Sequence, residues 1–264
     1  MSKDPSLSSL FTTNYVEWAK MLPIPSNKLN LFLKDLHSLH SIEKLKKYED
    51  SQIHCLTIFD DEYPFLLKQI FDPPWVLYLK GDKKLLTRKN TLGVVGTRKP
   101  TSYGMEALKT IILPLVKKKF VIISGVAAGI DAESHKITLR EGGDTIGVLG
   151  GGLKQIYPKS NFTLAEEIMN KGLLISETPP EVKAEPWMFP LRNRIISGLS
   201  KGVFVVEAKE RSGSLITAQA ALEHGREVFA LPGNVTSPES LGTNQLIYDG
   251  AKLVFSSRQI EEEF

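Results

Sequence analysis

Along the first fifth of the chain, apolar positions recur at the spacing of a helix face. Leu29, Leu33, Leu36, Leu39 and Ile42 fall three or four residues apart, so residues 6 to about 50 predict helix, with Pro23 and Pro25 marking an earlier turn. Residues 59–81, FDDEYPFLLKQIFDPPWVLYLKG, read as a connector. There the Pro73-Pro74 pair enforces extended backbone, and Trp75 to Leu79 predicts an edge strand. From residue 91 the pattern changes to short, wholly apolar runs: Leu92–Gly96, Phe120–Ser124, Thr145–Leu149, Leu173–Ser176, Val203–Glu207, Glu227–Leu231 and Lys252–Phe255. Helical patterns separate most of them. Met105, Leu108, Ile111, Ile112, Leu115 and Val116 mark one such helix, in which Pro114 predicts a kink or a split. Strands apolar throughout and alternating with helices predict an α/β fold, a mostly parallel sheet with helices on both faces. Ligands bind such sheets at the carboxyl ends of the strands.

Composition narrows this only slightly. The 264 residues are 42% hydrophobic and 24% charged, with a net charge of +3 and a pI near 8.7. That balance suits an anionic partner without demanding one. Cys55 is the single cysteine, which excludes an internal disulfide and points to a reducing compartment. The first ten residues carry no apolar signal core, and no run approaches the roughly 18 apolar residues of a membrane helix. A cytoplasmic protein is expected, without membrane association. His37, His40, His54, His135 and His224 have no metal-ligand pattern, so neither a metal nor a cofactor is expected.

The strand ends carry the candidate chemistry. After the first parallel strand come Gly96, Thr97, Arg98, Lys99 and Pro100, a turn whose Arg98 suits a phosphate; a tight turn with solvated charges is the plain reading. After the second, Ser124 and Gly125 open a small-residue turn that permits close backbone approach, with Asp131 placed to cap the following helix. The run Gly147 to Gly152 lacks the G-x-G-x-x-G spacing of a dinucleotide site. Arg192 and Arg194 bracket Asn193 and offer planar donors for phosphate and an amide for a base edge, or else internal salt bridges. Glu207 to Thr217 runs from a strand through Ser212, Gly213 and Ser214 into a helix N-terminus, an anion cradle in which Thr217 adds a hydroxyl. Capping by Ser212 or Ser214 is compatible with that role.

In order and spacing these segments closely resemble the DNA-processing protein A (DprA/Smf) family. The stretches are YPFLLKQIFDPPWVLYLKG, GVVGTRKPTSYG, SGVAAGIDAESH, IGVLGGGLKQIYPKSN and LISETPP. They continue with FPLRNRIISGLSKGVFVVEAKERSGSLITAQAALEHGREVFALPGN and GTNQLIYDGAKLV, so the resemblance runs from about Tyr63 to Val254. It implies a small helical SAM-like domain over residues 1–55 and an extended Rossmann-like DNA-binding domain over 56–264. It also implies homodimers that bind single-stranded DNA, protect incoming DNA and load the RecA recombinase during natural transformation, without catalysis. By the same resemblance, phosphate contact falls on Arg98, Ser124, Gly125, Arg192, Asn193 and the turn Arg211 to Ser214. The chain departs from the family in three ways. Ala128 replaces an arginine of SGLARGID, MLPIPSNKL lacks helix-hairpin-helix glycines, and no C-terminal winged-helix domain is expected.

The rival reading is a nucleotide-binding enzyme of the phosphoribohydrolase type. Those enzymes carry a catalytic glutamate where this chain offers Gln219, which leaves Glu207 as the acid–base candidate. A scaffold that ignores the pocket is the third reading.

Overall fold

The structure, a computed structural model, describes residues 12–37 and 41–264. It falls into two compact units, Met1–Ser51 and Gln52–Phe264. In the first unit the described helices are α1 (Tyr15–Met21), α2 (Ser26–His37) and α3 (Ser41–Asp50). Asn14 caps α1 by accepting from the Glu17 N–H at 3.0 Å, and Trp18 meets Phe32 edge-on with centroids 5.7 Å apart. Residues 6–11, Leu39 and His40, all part of the expected helical stretch, lie outside the described residues, as does the Ile42 side chain.

The second unit is a nine-stranded sheet in the order β1-β2-β6-β5-β4-β3-β7-β8-β9. Its strands are β1 (His54–Thr57), β2 (Val76–Gly81), β3 (Thr91–Val95), β4 (Val121–Gly125), β5 (Thr145–Leu149), β6 (Leu173–Ser176), β7 (Gly202–Val205), β8 (Glu227–Ala230) and β9 (Lys252–Leu253). From β6 to β9 all pairings are parallel, as the uninterrupted apolar runs require. β2 joins β6 antiparallel and β1 joins β2 antiparallel. The expected edge strand is therefore second from the edge. The strand missed outside it, β1, holds four residues in which only Leu56 is buried, too little for a period to register. Because His54 pairs with Leu79, the sheet begins inside the expected first domain, and the division falls at Ser51–Gln52 rather than 55–56.

Helices cover both faces. α5 (Ser102–Lys117) and α6 (Ile130–Arg140) lie on one, where Leu108, Ile112 and Ile130 pack with Leu92, Val94, Ile122 and Phe204. α8 (Met188–Leu199) and α9 (Gly213–Glu223) lie on the other, where Ile195, Ile196 and Ala218 pack with Val121, Ile123, Val148 and Val205. Along β4, Val121 and Ile123 thus enter one core and Ile122 the other, which is why every position of the strand is apolar or small. α4 (Phe65–Lys68), α7 (Phe162–Lys171), α10 (Leu241–Tyr248) and α11 (Ser257–Glu261) complete the unit. Pro114 does not split α5. It sits in the last turn, where it forfeits a single ladder bond after three turns have formed.

The chain leaves β3 to build β4, β5 and β6 on one side, then returns to place β7 on β3's other side. The loops after β3 and β7 consequently run away from each other. Such a topological switch point opens a crevice outside the strands' carboxyl ends.

Candidate nucleic-acid interface

A cavity of about 440 Å³ occupies that crevice. The loop after β3 contributes Thr97 and Arg98, the loop after β4 contributes Ala127 and Asp131, and α8 contributes Phe189, Arg192 and Asn193. Residues Lys209 to Ser214, with Ile216 and Thr217, close the far side. Arg98 is exposed. Ser212 stands at the cap position of α9, yet its side chain makes no capping bond. Its hydroxyl pairs instead with that of Ser214 at 2.7 Å. This corrects the expectation of a capped helix: the first-turn N–H groups keep no side-chain cap, and the helix dipole faces the cavity. A Cβ on Gly213 would meet nothing within 4 Å, so the turn is open on its cavity side. Arg211 adopts φ +59°, the left-handed region unusual for a side chain of its size, to make the turn into α9.

Beneath the cavity lie two buried groups of opposite charge. Arg192 is 8% exposed; its Nη1 donates to the Val148 carbonyl and its Nε to Asn193 Oδ1 at 3.1 Å. Asp131 is 6% exposed. A Cβ on Gly125 would overlap the Arg192 guanidinium and lie 2.5 Å from Asp131 Oδ2, so glycine there is what leaves room for both groups under the turn. Burial pushes the Asp131 carboxyl up to about 6, against the pull of Arg192, Arg98 and the Ala127 N–H. Burial likewise lowers the Arg192 guanidinium pKa, and Asp131 holds it up. The helix cap expected of Asp131 does not form, because α6 starts one residue earlier and Gly129 takes the cap position. His135, beneath both, lies 2.9 Å from the Gly125 carbonyl and 2.6 Å from Thr145 Oγ1. Burial lowers its pKa to about 4, so it is neutral near pH 7.

The expected site residues divide into three groups. Arg98, Arg192, Asn193, Ser212, Gly213, Ser214 and Thr217 converge on the cavity. Ser124 and Gly125 lie under its wall: Ser124 is fully buried and donates to the Val94 carbonyl at 2.5 Å. Asn193 acts as a brace, its Nδ2 donating to the Gly213 carbonyl at 3.2 Å. Lys99 is exposed beside the cavity, outside its lining. Arg194 turns elsewhere and binds both oxygens of Glu177 at 2.7 and 2.9 Å, with Asp72 at 3.4 Å. The Gly150 to Gly152 run serves packing. A Cβ on Gly152 would overlap the Pro179 carbonyl, and one on Gly151 would lie 2.8 Å from the Ala184 nitrogen.

Two features escaped the sequence. Asp131 gave no sign of lying near a residue 61 positions away in the chain. Tyr157, 56% exposed, stands 5.8 Å from Phe189 between ring centroids. Together they wall a second cavity of about 220 Å³ that shares Arg98, Ala127, Phe189 and Arg192 with the first. Ala128 lines this cavity, so that position of its wall is apolar where the family pattern carries an arginine. Gln219 turns outward to donate to Glu223 at 3.0 Å. The Glu207 carboxylate is held by the Thr101 hydroxyl at 2.6 Å and the Thr101 N–H at 2.9 Å. Among the described residues no helix is long and apolar enough to cross a membrane, and no cluster of three or more His, Cys, Asp or Glu is placed to hold a metal.

Comparison with known proteins agrees with this geometry. The chain is 49% identical over 219 residues to the DNA processing protein DprA of Bacillus subtilis, a match covering 83% of this chain and 74% of that protein. The crystal structure of DprA from Streptococcus pneumoniae superposes with a TM-score of 0.83 at 40% identity, covering 89% of this chain and 82% of that one. A structure of DNA processing protein A from Helicobacter pylori, described for its single-stranded DNA binding mode, superposes at 0.73 with 32% identity, covering 80% of this chain and 94% of that one. The sequence profile of the DNA recombination-mediator protein A family matches residues 54–264, and the chain belongs to that family.

Proposed function

We propose that this protein binds single-stranded DNA in the switch-point cavity, with backbone phosphates held by Arg98, Arg192 and the Ser212–Ser214 turn. The observation that carries this reading is one cavity gathering three guanidinium groups, a helix N-terminus without a side-chain cap and two serine hydroxyls. Such donors match phosphate oxygens. The Helicobacter pylori relative supports the choice of single-stranded DNA. As a recombination mediator, the chain would protect incoming DNA and load RecA recombinase on it as a homodimer, a role taken from the family and not from any residue described above. Lys99 and Arg211 flank the phosphate path.

The test is binding of a fluorescein-labelled poly-dT oligonucleotide to wild type and Arg98→Ala across a salt series. Phosphate-dominated binding falls steeply with salt. The Arg98→Ala variant is expected to bind more weakly, with the log–log salt slope reduced by about one. A wild type that ignores the oligonucleotide at low salt overturns the reading. Addition to a RecA filament assay and light scattering of the purified protein test the loading role and the homodimer separately.

A further inference from the structure

A third cavity, of about 390 Å³, lies beyond the second and shares Leu149, Gly150 and Arg192 with it. The three cavities therefore form one trench over the carboxyl ends of β7, β3, β4, β5 and β6. At about 4.8 Å per strand the trench crosses about 19 Å, enough for about five stacked nucleotides at roughly 3.4 Å each.

Its chemical character changes along the way. The β7 end is basic, with Arg98, Arg192 and Arg211 on its walls. The middle is apolar, between Tyr157 and Phe189. At the β6 end, Arg194 is matched by two carboxylates, Glu177 and Asp72, and with Arg192 the lining holds two cations against two anions, so it lacks the surplus positive charge that draws phosphate. The remaining wall is apolar: Trp187 at 61% exposure and Leu191 at 42%, with Met188. Trp187 precedes the first residue of α8, and its flat face is a large apolar surface left in water. What fits a charge-balanced, aromatic-walled cavity in line with a phosphate site is a flat, uncharged base. Every base has a π-face to stack, and carboxylates accept from amino edges.

We infer that the third cavity is a nucleobase subsite, in which a base of the same strand stacks on Trp187 while its backbone phosphates stay at the basic end of the trench. This rests on the single-stranded DNA reading above.

The experiment uses the full chain and its intrinsic tryptophan emission. The probes are dT12, a twelve-unit abasic deoxyribose-phosphate strand, and dT2. Wild type is compared with Trp187→Phe and Trp187→Leu, with thermal melting of each. Stacking predicts that dT12 quenches wild-type emission and the abasic strand, though bound, does not. Trp187→Phe removes the quench and binds dT12 within about threefold of wild type. Trp187→Leu weakens dT12 binding about five- to 150-fold, with dT2 binding and the salt slope unchanged. The abasic comparison needs no variant, so a misfolded Trp187→Leu does not remove the test. If wild type binds dT12 with the Arg98-dependent salt slope, but its emission is unmoved or the abasic strand quenches equally, the subsite is overturned while the phosphate site stands. If wild type binds no dT12 at all, the underlying reading falls first.

Discussion

Arg192 and Arg194 stand two residues apart in one motif and look interchangeable in the sequence, yet the fold uses them in opposite ways. At 100° per residue they point about 200° apart around α8, so Arg194 lines the third cavity but not the first, while Arg192 borders both. Arg192 lies near one buried carboxylate, Asp131, with Arg98 also weighing on it, and the cavity lining carries Arg98, Arg192, Lys209 and Arg211 against Asp131 and Glu210, which leaves it positive. Arg194 meets Glu177 and Asp72 directly, and with Arg192 on the same lining its cavity is balanced, two cations against two anions. An arginine marks an anion site only where its neighbours leave charge to spare. The two cavities differ by that count more than by their arginines.

The sharpest break in this comparison is Arg192→Met. It removes the main cation acting on the buried Asp131 carboxylate and the guanidinium's own bonds to Val148 and Asn193, at a cost of about 2 to 3 kcal/mol. Urea unfolding should show a loss of that size together with lost oligonucleotide binding. Adding Asp131→Asn should return a large share of the stability without returning the binding, because the second substitution removes the stranded charge and restores no cation. Stability unchanged in Arg192→Met would mean that the guanidinium does not stabilise the Asp131 charge.

Arg194→Gln should cost less, about 1 to 2 kcal/mol, because Asp72 keeps 62% and Glu177 34% of its side-chain surface in water and water replaces part of what is lost. The salt slope for poly-dT should stay as in wild type, since a guanidinium already matched by two carboxylates releases no counterion. A slope lower by one would place Arg194 on a phosphate after all.

What was legible in the sequence follows from which interactions are local. The parallel strands showed because both faces of each are buried, so apolar runs such as Thr145–Leu149 and Leu173–Ser176 coincide with the strands observed. The open turn at Ser212 to Ser214 showed because strand, small residues and helix start are consecutive. The nearness of Arg192 to Asp131, the Asn193 brace and the apolar wall of Tyr157 were hidden because each joins segments far apart in the chain. Glycines misled for the same reason: Gly152 and Gly213 look alike in sequence. One is pressed against the Pro179 and Pro180 backbone while the other faces open space, and only the fold tells protein from solvent on the far side. β1 was missed because a short strand with one buried residue carries no period.

The smallest expected effect tests the charge count itself. Asp131 has its carboxyl raised by burial to about 6, while His135 below it, lowered to about 4, stays neutral through that range. A bound phosphate diester remains anionic at these pH values and raises the Asp131 pKa further, so binding takes up a proton. Affinity should therefore be level below pH 6, where Asp131 is already protonated in the free protein. It should then fall as pH rises through 6 until the carboxyl ionises in the complex as well. Each unit by which the phosphate raises that pKa is worth tenfold in affinity, and a fall of about three- to tenfold between pH 5.5 and 8 is expected. Asp131→Asn should flatten the profile at its low-pH level, because the amide keeps the neutral form at every pH. The opposite slope, with binding weakening on acidification and the variant following it, would mean that Asp131 serves the site by holding Arg192 in place and that its negative charge costs the DNA nothing.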